Sequence, residues 1–148
     1  MYDGQEPKAL SSEQAPVTER TRVSKPILWT ARVLRVLVVL FLLFDAYAHI
    51  TRPAPVVEAF ARLGLALSLG PVIGVLKIVL LILYLVPRTS VFGAVLLTGY
   101  LGGAIAINMR AGSSLFEILF PIIPGVIVWA PLYLTDARLR AVFPVRGG

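Results

Sequence analysis

The chain has 148 residues, one domain's worth, with 57% hydrophobic residues, 15% charged residues and a mean hydropathy of +0.84, against ~45 to 50% apolar residues in ordinary soluble domains. A net charge of +6 and a pI near 10.2 would suit nucleic acid, but the basic residues form no stripe with interleaved aromatics and match no nucleic-acid module, so that class is set aside. The absence of cysteine excludes disulfides, thiol redox chemistry and iron–sulfur ligation, and the single histidine excludes a pair of haem ligands from this chain alone.

Residues 1–26 carry Gly, Pro, Ser, Gln and mixed charges without apolar periodicity, which predicts a disordered cytoplasmic tail. The front is too polar for a signal peptide and no small-residue cleavage site follows the first apolar run, so the first helix is expected to be retained. Residues 27–148 then form a single membrane domain, because the remaining charges sit mainly at the ends of four long apolar stretches.

Helix one is predicted over 27–50. Arg32 and Arg35 in its first turns can extend to the headgroups beside Trp29, and nine apolar residues, Val36 to Phe44, run into Asp45. Residues 51–67 place Val56, Val57, Phe60 and Leu63 opposite Glu58 and Arg62 behind Pro53 and Pro55, the pattern of a short amphipathic interfacial helix. Helix two is predicted over 68–86 and stops at Pro87. The connection to helix three, over 90–109, is so short that the two must be antiparallel neighbours. Helix three carries Gly99 and Gly103 at a spacing that lets a second backbone approach, which internal packing would use. Helix four is predicted over 116–134, kinked by Pro121, Pro124 and Pro131. The fold class is therefore all-α, an antiparallel four-helix transmembrane bundle with one interfacial helix between helices one and two.

Lys and Arg in the short flanks set the orientation: Arg20, Arg22, Lys25, Arg88, Arg138, Arg140 and Arg146 on one side, and Arg52, Arg62 and Arg110 on the other. This bias predicts that both termini are cytoplasmic.

An aspartate in such an apolar run costs about 3 kcal/mol on insertion scales unless another segment meets it. With ~1.5 Å per residue, Asp45 lies roughly 8 Å and Lys77 roughly 13 Å from the outer ends of their helices, within reach of one another across a lysine side chain. His49 follows Asp45 by one turn on the same face, and Asn108, Arg110 and Glu117 end or begin their helices at the same level. Asp45, His49, Lys77, Asn108, Arg110 and Glu117 are thus candidate ligand-binding residues near the non-cytoplasmic side. The first three are also candidates for acid–base work, since histidine ordinarily titrates in the physiological range. Each has a plainer role as well: Asp45 and Lys77 as a register-fixing ion pair, His49 as an interfacial histidine, Asn108 and Arg110 as caps of helix three, and Glu117 at the positive end of helix four. Tyr100, two turns deeper than Asn108, could line a cavity but is expected rather to pack. No metal site is expected.

The segments LRVLVVLFLLFDA, PAPVVEAFARLG, PVIGVLKI, YLVPRTSVFGAVLLTGYLGGAIAINMR and VWAPLYLTDARLRAVFPVR resemble the DoxX-like family of small four-helix membrane proteins, over about Leu34 to Arg146. The resemblance implies an antiparallel four-helix bundle in a bacterial inner membrane, associated with quinone-linked respiratory or oxidative-stress complexes. Relatives carry Lys four residues after the first-helix Asp, Glu at the position of Lys77 and His at the position of Asn108. In this chain the cation has moved from helix one to helix two.

Two functional readings follow. The first is an accessory or ligand-binding membrane subunit with the lipid bilayer and a membrane redox partner as its neighbours, and with a quinone as the cofactor the resemblance suggests. The alternative is an enzyme acting on a lipophilic substrate inside the bundle.

Overall fold

Pro26 occupies the first turn of a helix, where its missing amide hydrogen is not needed, and begins α1, Lys25–Thr51, in the computed structural model, which describes residues 24–142. The tail expected over 1–26 therefore lies, up to residue 23, outside the described residues, as do Arg20, Arg22 and Arg146 of the orientation count. Arg52 in the left-handed conformation (φ 55°) followed by Pro53 ends α1. The short helix α2, Ala54–Leu63, stops at Gly64, whose φ of 67° costs an L side chain but not a glycine. Next come α3, Leu69–Leu85, and α4, Ser90–Arg110.

The fourth apolar segment is broken where one kinked helix over 116–134 was expected. A first piece, α5 (Leu115–Leu119), is followed by α6 (Ile122–Thr135) and then by α7 (Ala137–Val142). Pro121 and Pro124 explain the break: neither can donate the helical hydrogen bond, so the chain bridges the gap with Phe120 N–H to Phe116 O at 2.8 Å and Ile123 N–H to Phe120 O at 3.1 Å. Pro131 disturbs the next turn of α6, and the carbonyl of Val128 there accepts the buried Tyr84 hydroxyl at 3.0 Å.

The protein is all-helical among the described residues. Three helical stretches are long and apolar enough to cross a membrane: α1, α4 and Leu115–Thr135 taken together. The 17 residues of α3 are as apolar but shorter, about 25 Å against the ~30 Å of a hydrocarbon core. Large apolar side chains point outward, Phe44 at 70%, Val72 at 62% and Val126 at 62% exposure, as lipid contact requires and water would not favour.

α1 packs against α3 and α6, α3 against α4, and α4 against α5 and α6. One cluster holds them together: Val38 and Leu42 of α1, Leu80, Leu81 and Tyr84 of α3, Ala94 and Leu97 of α4, Val128 and Leu132 of α6, and Leu139 of α7. Two glycines of α3 set its distance to α1: a Cβ on Gly70 would lie 2.7 Å from the His49 carbonyl, and one on Gly74 would lie 2.8 Å from that of Ala46. Gly93 plays the same part between α4 and α3, since a methyl group there would overlap the Tyr84 backbone. The glycines at 99 and 103 do not: a Cβ on either meets nothing within 4 Å, so the internal packing expected of them is not present.

Gly93→Ala is expected to destabilise the protein by about 1–3 kcal/mol, because backbone cannot retreat as a flexible side chain would. Gly99→Ala, in open space, is expected to be neutral. Thermal unfolding of both variants in one detergent checks the contrast.

Candidate functional site

Lys77 lies on the buried stripe of α3, in line with Gly70, Gly74, Leu81 and Tyr84. Because the two glycines bring α3 against α1, the lysine has no exit to water, and its side chain is only 1% exposed. An ammonium group in such a place needs an anion. Asp45, facing it from α1, forms an ion pair with its Nζ.

His49, one turn after Asp45, completes the group. Its Nδ1 is 3.0 Å from Lys77 Nζ, 2.8 Å from the backbone carbonyl of Asp45 and 3.6 Å from Asp45 Oδ1. The two shorter contacts require opposite states of the same nitrogen. With a proton, Nδ1 donates to the Asp45 carbonyl; without one, it accepts from the Lys77 ammonium. A tautomer change of one ring thus alters the hydrogen bonding of the amine. The ring also packs edge-on against Phe60 of α2, centroids 5.7 Å apart, and Lys77 Nζ lies 5.4 Å from the centre of the Tyr100 ring.

These groups form the polar wall of a cavity of about 670 Å³. Asp45, His49, Lys77, Asn108 and Glu117 all line it, whereas Arg110 does not. The rest of the lining is largely apolar, contributed by α2, α4, α5 and α6, with Phe41, Phe116 and Phe120 on the flank. Tyr100, for which a place on a cavity wall was the alternative to packing, lines the cavity.

Asn108 and Arg110 differ from their expected role as caps of α4. The Asn108 amide donates back to Ala104 O at 2.9 Å within the helix, and Arg110 crosses to α2, donating to Leu63 O at 2.8 Å. Leu63 is the last residue of α2, so its carbonyl lacks a helical donor, and the guanidinium supplies one. Glu117 fits its expected place at a helix start more closely. It forms a capping box with Ser114, accepting from the Ser114 amide at 3.0 Å and hydroxyl at 2.9 Å through Oε2.

Its second oxygen, Oε1, pairs with Arg62 of α2 at 2.6 Å. Arg62 is a site residue that the sequence reading placed on the outward face of α2. The stripe Pro55, Ala59 and Arg62, at spacings of four and three, could have shown that it shares a face with cavity-lining residues. Two arginines therefore tie α2 over the cavity, one to the start of α5 and one from the end of α4. No group of three or more His, Cys, Asp or Glu that could hold a metal ion occurs among the described residues. Hydrogen-bond donors and two carboxylates, Asp45 and Glu117, on a largely apolar wall suit an organic ligand with a polar head.

The pair is asymmetric: Lys77 is sealed, whereas the Asp45 side chain is 37% exposed to the cavity. Asp45→Asn strands a buried ammonium and is expected to cost about 3 kcal/mol, while Lys77→Met leaves a carboxylate that cavity water can reach and should cost about 1 kcal/mol. The exchange Asp45→Lys with Lys77→Asp should recover part of the loss. Unfolding midpoints of the three variants test this, and a double variant no better than either single change would contradict the pairing.

The family model of the DoxX-like family matches residues 33–131, which include Asp45, His49, Lys77, Asn108, Arg110 and Glu117. The resemblance noted from the sequence is thereby supported up to Pro131. No curated protein and no solved structure matches the chain. The match covers more than half of the chain, and the three long apolar helices agree with it: this membrane protein belongs to the DoxX-like family.

Proposed function

We propose that the protein is a ligand-binding accessory subunit whose cavity beneath α2 receives the polar head of a lipophilic molecule of the quinone class. The observation that carries this reading is the cavity itself: about 670 Å³, mostly apolar, with Lys77, Asp45 and His49 gathered on one wall. A quinone asks for hydrogen-bond donors at a carbonyl oxygen and an apolar bed for its ring and tail. Asn108 supplies an amide with one N–H beyond the bond to Ala104, and Lys77, which borders the cavity, holds Asp45 and His49 in place on its wall. A bound quinone would bring redox chemistry, with the protein's residues orienting the head and excluding water.

In the same reading α1, α3, α4 and the α5–α6 segment span a bacterial inner membrane as an antiparallel bundle, with α2 on the outer surface and both termini in the cytoplasm. Contacts between neighbouring helices support antiparallel directions, since Asp45 meets Lys77 while Arg35 meets Tyr84, and Leu101 lies near Gly125 while Thr98 meets Trp129. The excess of Lys and Arg beside the start of α1 and the ends of α3 and α6 supports the orientation. A membrane redox enzyme is the partner this role implies.

A second reading, an enzyme acting on a lipophilic substrate, draws on the contact between His49 and Lys77. There Asp45 and His49 would exchange protons while Lys77 stabilises developing negative charge.

Native mass spectrometry of the full chain released from gentle detergent tests the primary reading. A quinone mass retained by the protein, and lost in Lys77→Met while the variant stays folded, is the expected result. Retention of phospholipid alone, or equal quinone retention by Lys77→Met, would refute it. Turnover of an added lipophilic substrate, abolished in a folded Asp45→Asn variant, would favour the enzyme.

A further inference from the structure

The buried stripe of α1 carries two charged positions, and they are treated differently. Towards the end of the helix Asp45 has its cation. Ten residues earlier, between the buried Ala31 and Val38, stands Arg35, which forms no ion pair among the described residues. One terminal nitrogen donates to the Tyr84 carbonyl at 3.2 Å, and the guanidinium lies 5.0 Å from the centre of the Tyr84 ring. Its Nε is buried without a hydrogen-bond partner. Two interactions with one residue fix the group in place and leave most of its five donors unused.

Its surroundings are cationic. The end of α3 lies at this level and the start of α4 follows it, and Arg32 and Arg88 are near in the chain; Lys25, Arg138 and Arg140 stand in the flanking segments towards the same end. Asp136 is the one acid there among the described residues, and its Oδ1 accepts the amides of Arg138 at 2.8 Å and Leu139 at 3.4 Å. The opposite end balances Arg52, Arg62, Lys77 and Arg110 with Asp45, Glu58 and Glu117. Arg35 is also level with the interface, because Tyr84 is the penultimate residue of α3 and the turn to α4 follows. Gly93 holds the first turn of α4 against Tyr84, so the start of that helix lies beside the same residue. A half-buried guanidinium, an arginine in the adjoining turn and a helix N-terminus together form a phosphate-type site at headgroup depth.

We propose that Arg35, with Arg88, binds the phosphate of an anionic phospholipid headgroup at this end of the protein. The assignment does not depend on the cavity beneath α2.

The full chain is placed in nanodiscs of phosphatidylcholine, of phosphatidylcholine with phosphatidylglycerol, and of phosphatidylcholine with inorganic phosphate in the buffer. Unfolding temperature and lipid retained in native mass spectrometry are read. Phosphatidylglycerol should raise the unfolding temperature and remain bound. Arg35→Gln should lower that retention roughly tenfold and remove the lipid-specific stabilisation, while Arg35→Lys keeps part of it and Arg140→Gln leaves it unchanged. Equal retention by Arg35→Gln and the parent would overturn the assignment. So would a loss of stability that is the same in both lipids, which would instead mark an acid of the chain as the partner of Arg35. Stabilisation by inorganic phosphate equal to that by phosphatidylglycerol would overturn the lipid as the source of the phosphate. Should Arg35→Gln fail to fold, Arg88→Gln is expected to weaken retention several-fold, and unchanged retention in it overturns the proposal.

Discussion

An ammonium group enclosed among apolar helices is the constraint on which the site depends. Lys77 cannot reach water, so α3 has to present it to a carboxylate, and Asp45 of α1 provides one. This fixes the register of the two helices, because a shift of α3 by one turn, about 5.4 Å, would separate the charges. Gly70 and Gly74 make the contact close enough to hold, as each lies where any larger residue would strike an α1 carbonyl. Electrostatics thus select the register, and the missing side chains permit it.

The same register forms the cavity. With α1 and α3 locked together, His49 turns its ring to the amine on one side and to Phe60 of α2 on the other, so the ion pair and the cover over the cavity are in contact through one residue. α2 is held by arginines at its carbonyl end and along its face, and the carboxylate that meets Arg62 also caps α5. Exposed pairs such as Arg62–Glu117 contribute little stability individually. Their effect here is positional: they set where α2 lies, and hence the shape of the apolar volume beside Lys77.

Prolines govern the other side of the cavity. The chain breaks between α5 and α6 at Pro121, and Phe116, Phe120 and Pro121 from this stretch line the cavity. Of the carbonyls the prolines free, that of Phe120 accepts the Ile123 amide at 3.1 Å; serine and glutamate cap α5, and Tyr84 meets α6 beside Pro131. Along the lower half of α1, Arg35 is anchored by that same tyrosine, so one buried aromatic residue joins α1, α3 and α6 at the cationic end.

Much of this was legible in the residues. Apolar runs bounded by Pro53 and Pro87 mark where helices begin and end, because proline lacks an amide whatever surrounds it, whereas at Pro121 the residues suggested a kink and the structure has a break. The intramembrane charges of Asp45 and Lys77 announce that they need partners, since desolvation is costly wherever the chain goes. What the sequence could not decide is which neighbour satisfies a group that has several within reach. Arg110 takes a carbonyl of α2 and not its own helix, Arg62 turns to Glu117 and not to solvent, and the close approach falls on Gly70, Gly74 and Gly93 and not on Gly99 and Gly103. Local rules of spacing and capping depend on a few adjacent residues, so the sequence determined the helices and their charged positions. Only the tertiary structure decided the pairings, because they follow from the rotation and offset of whole helices, which many packed side chains set together.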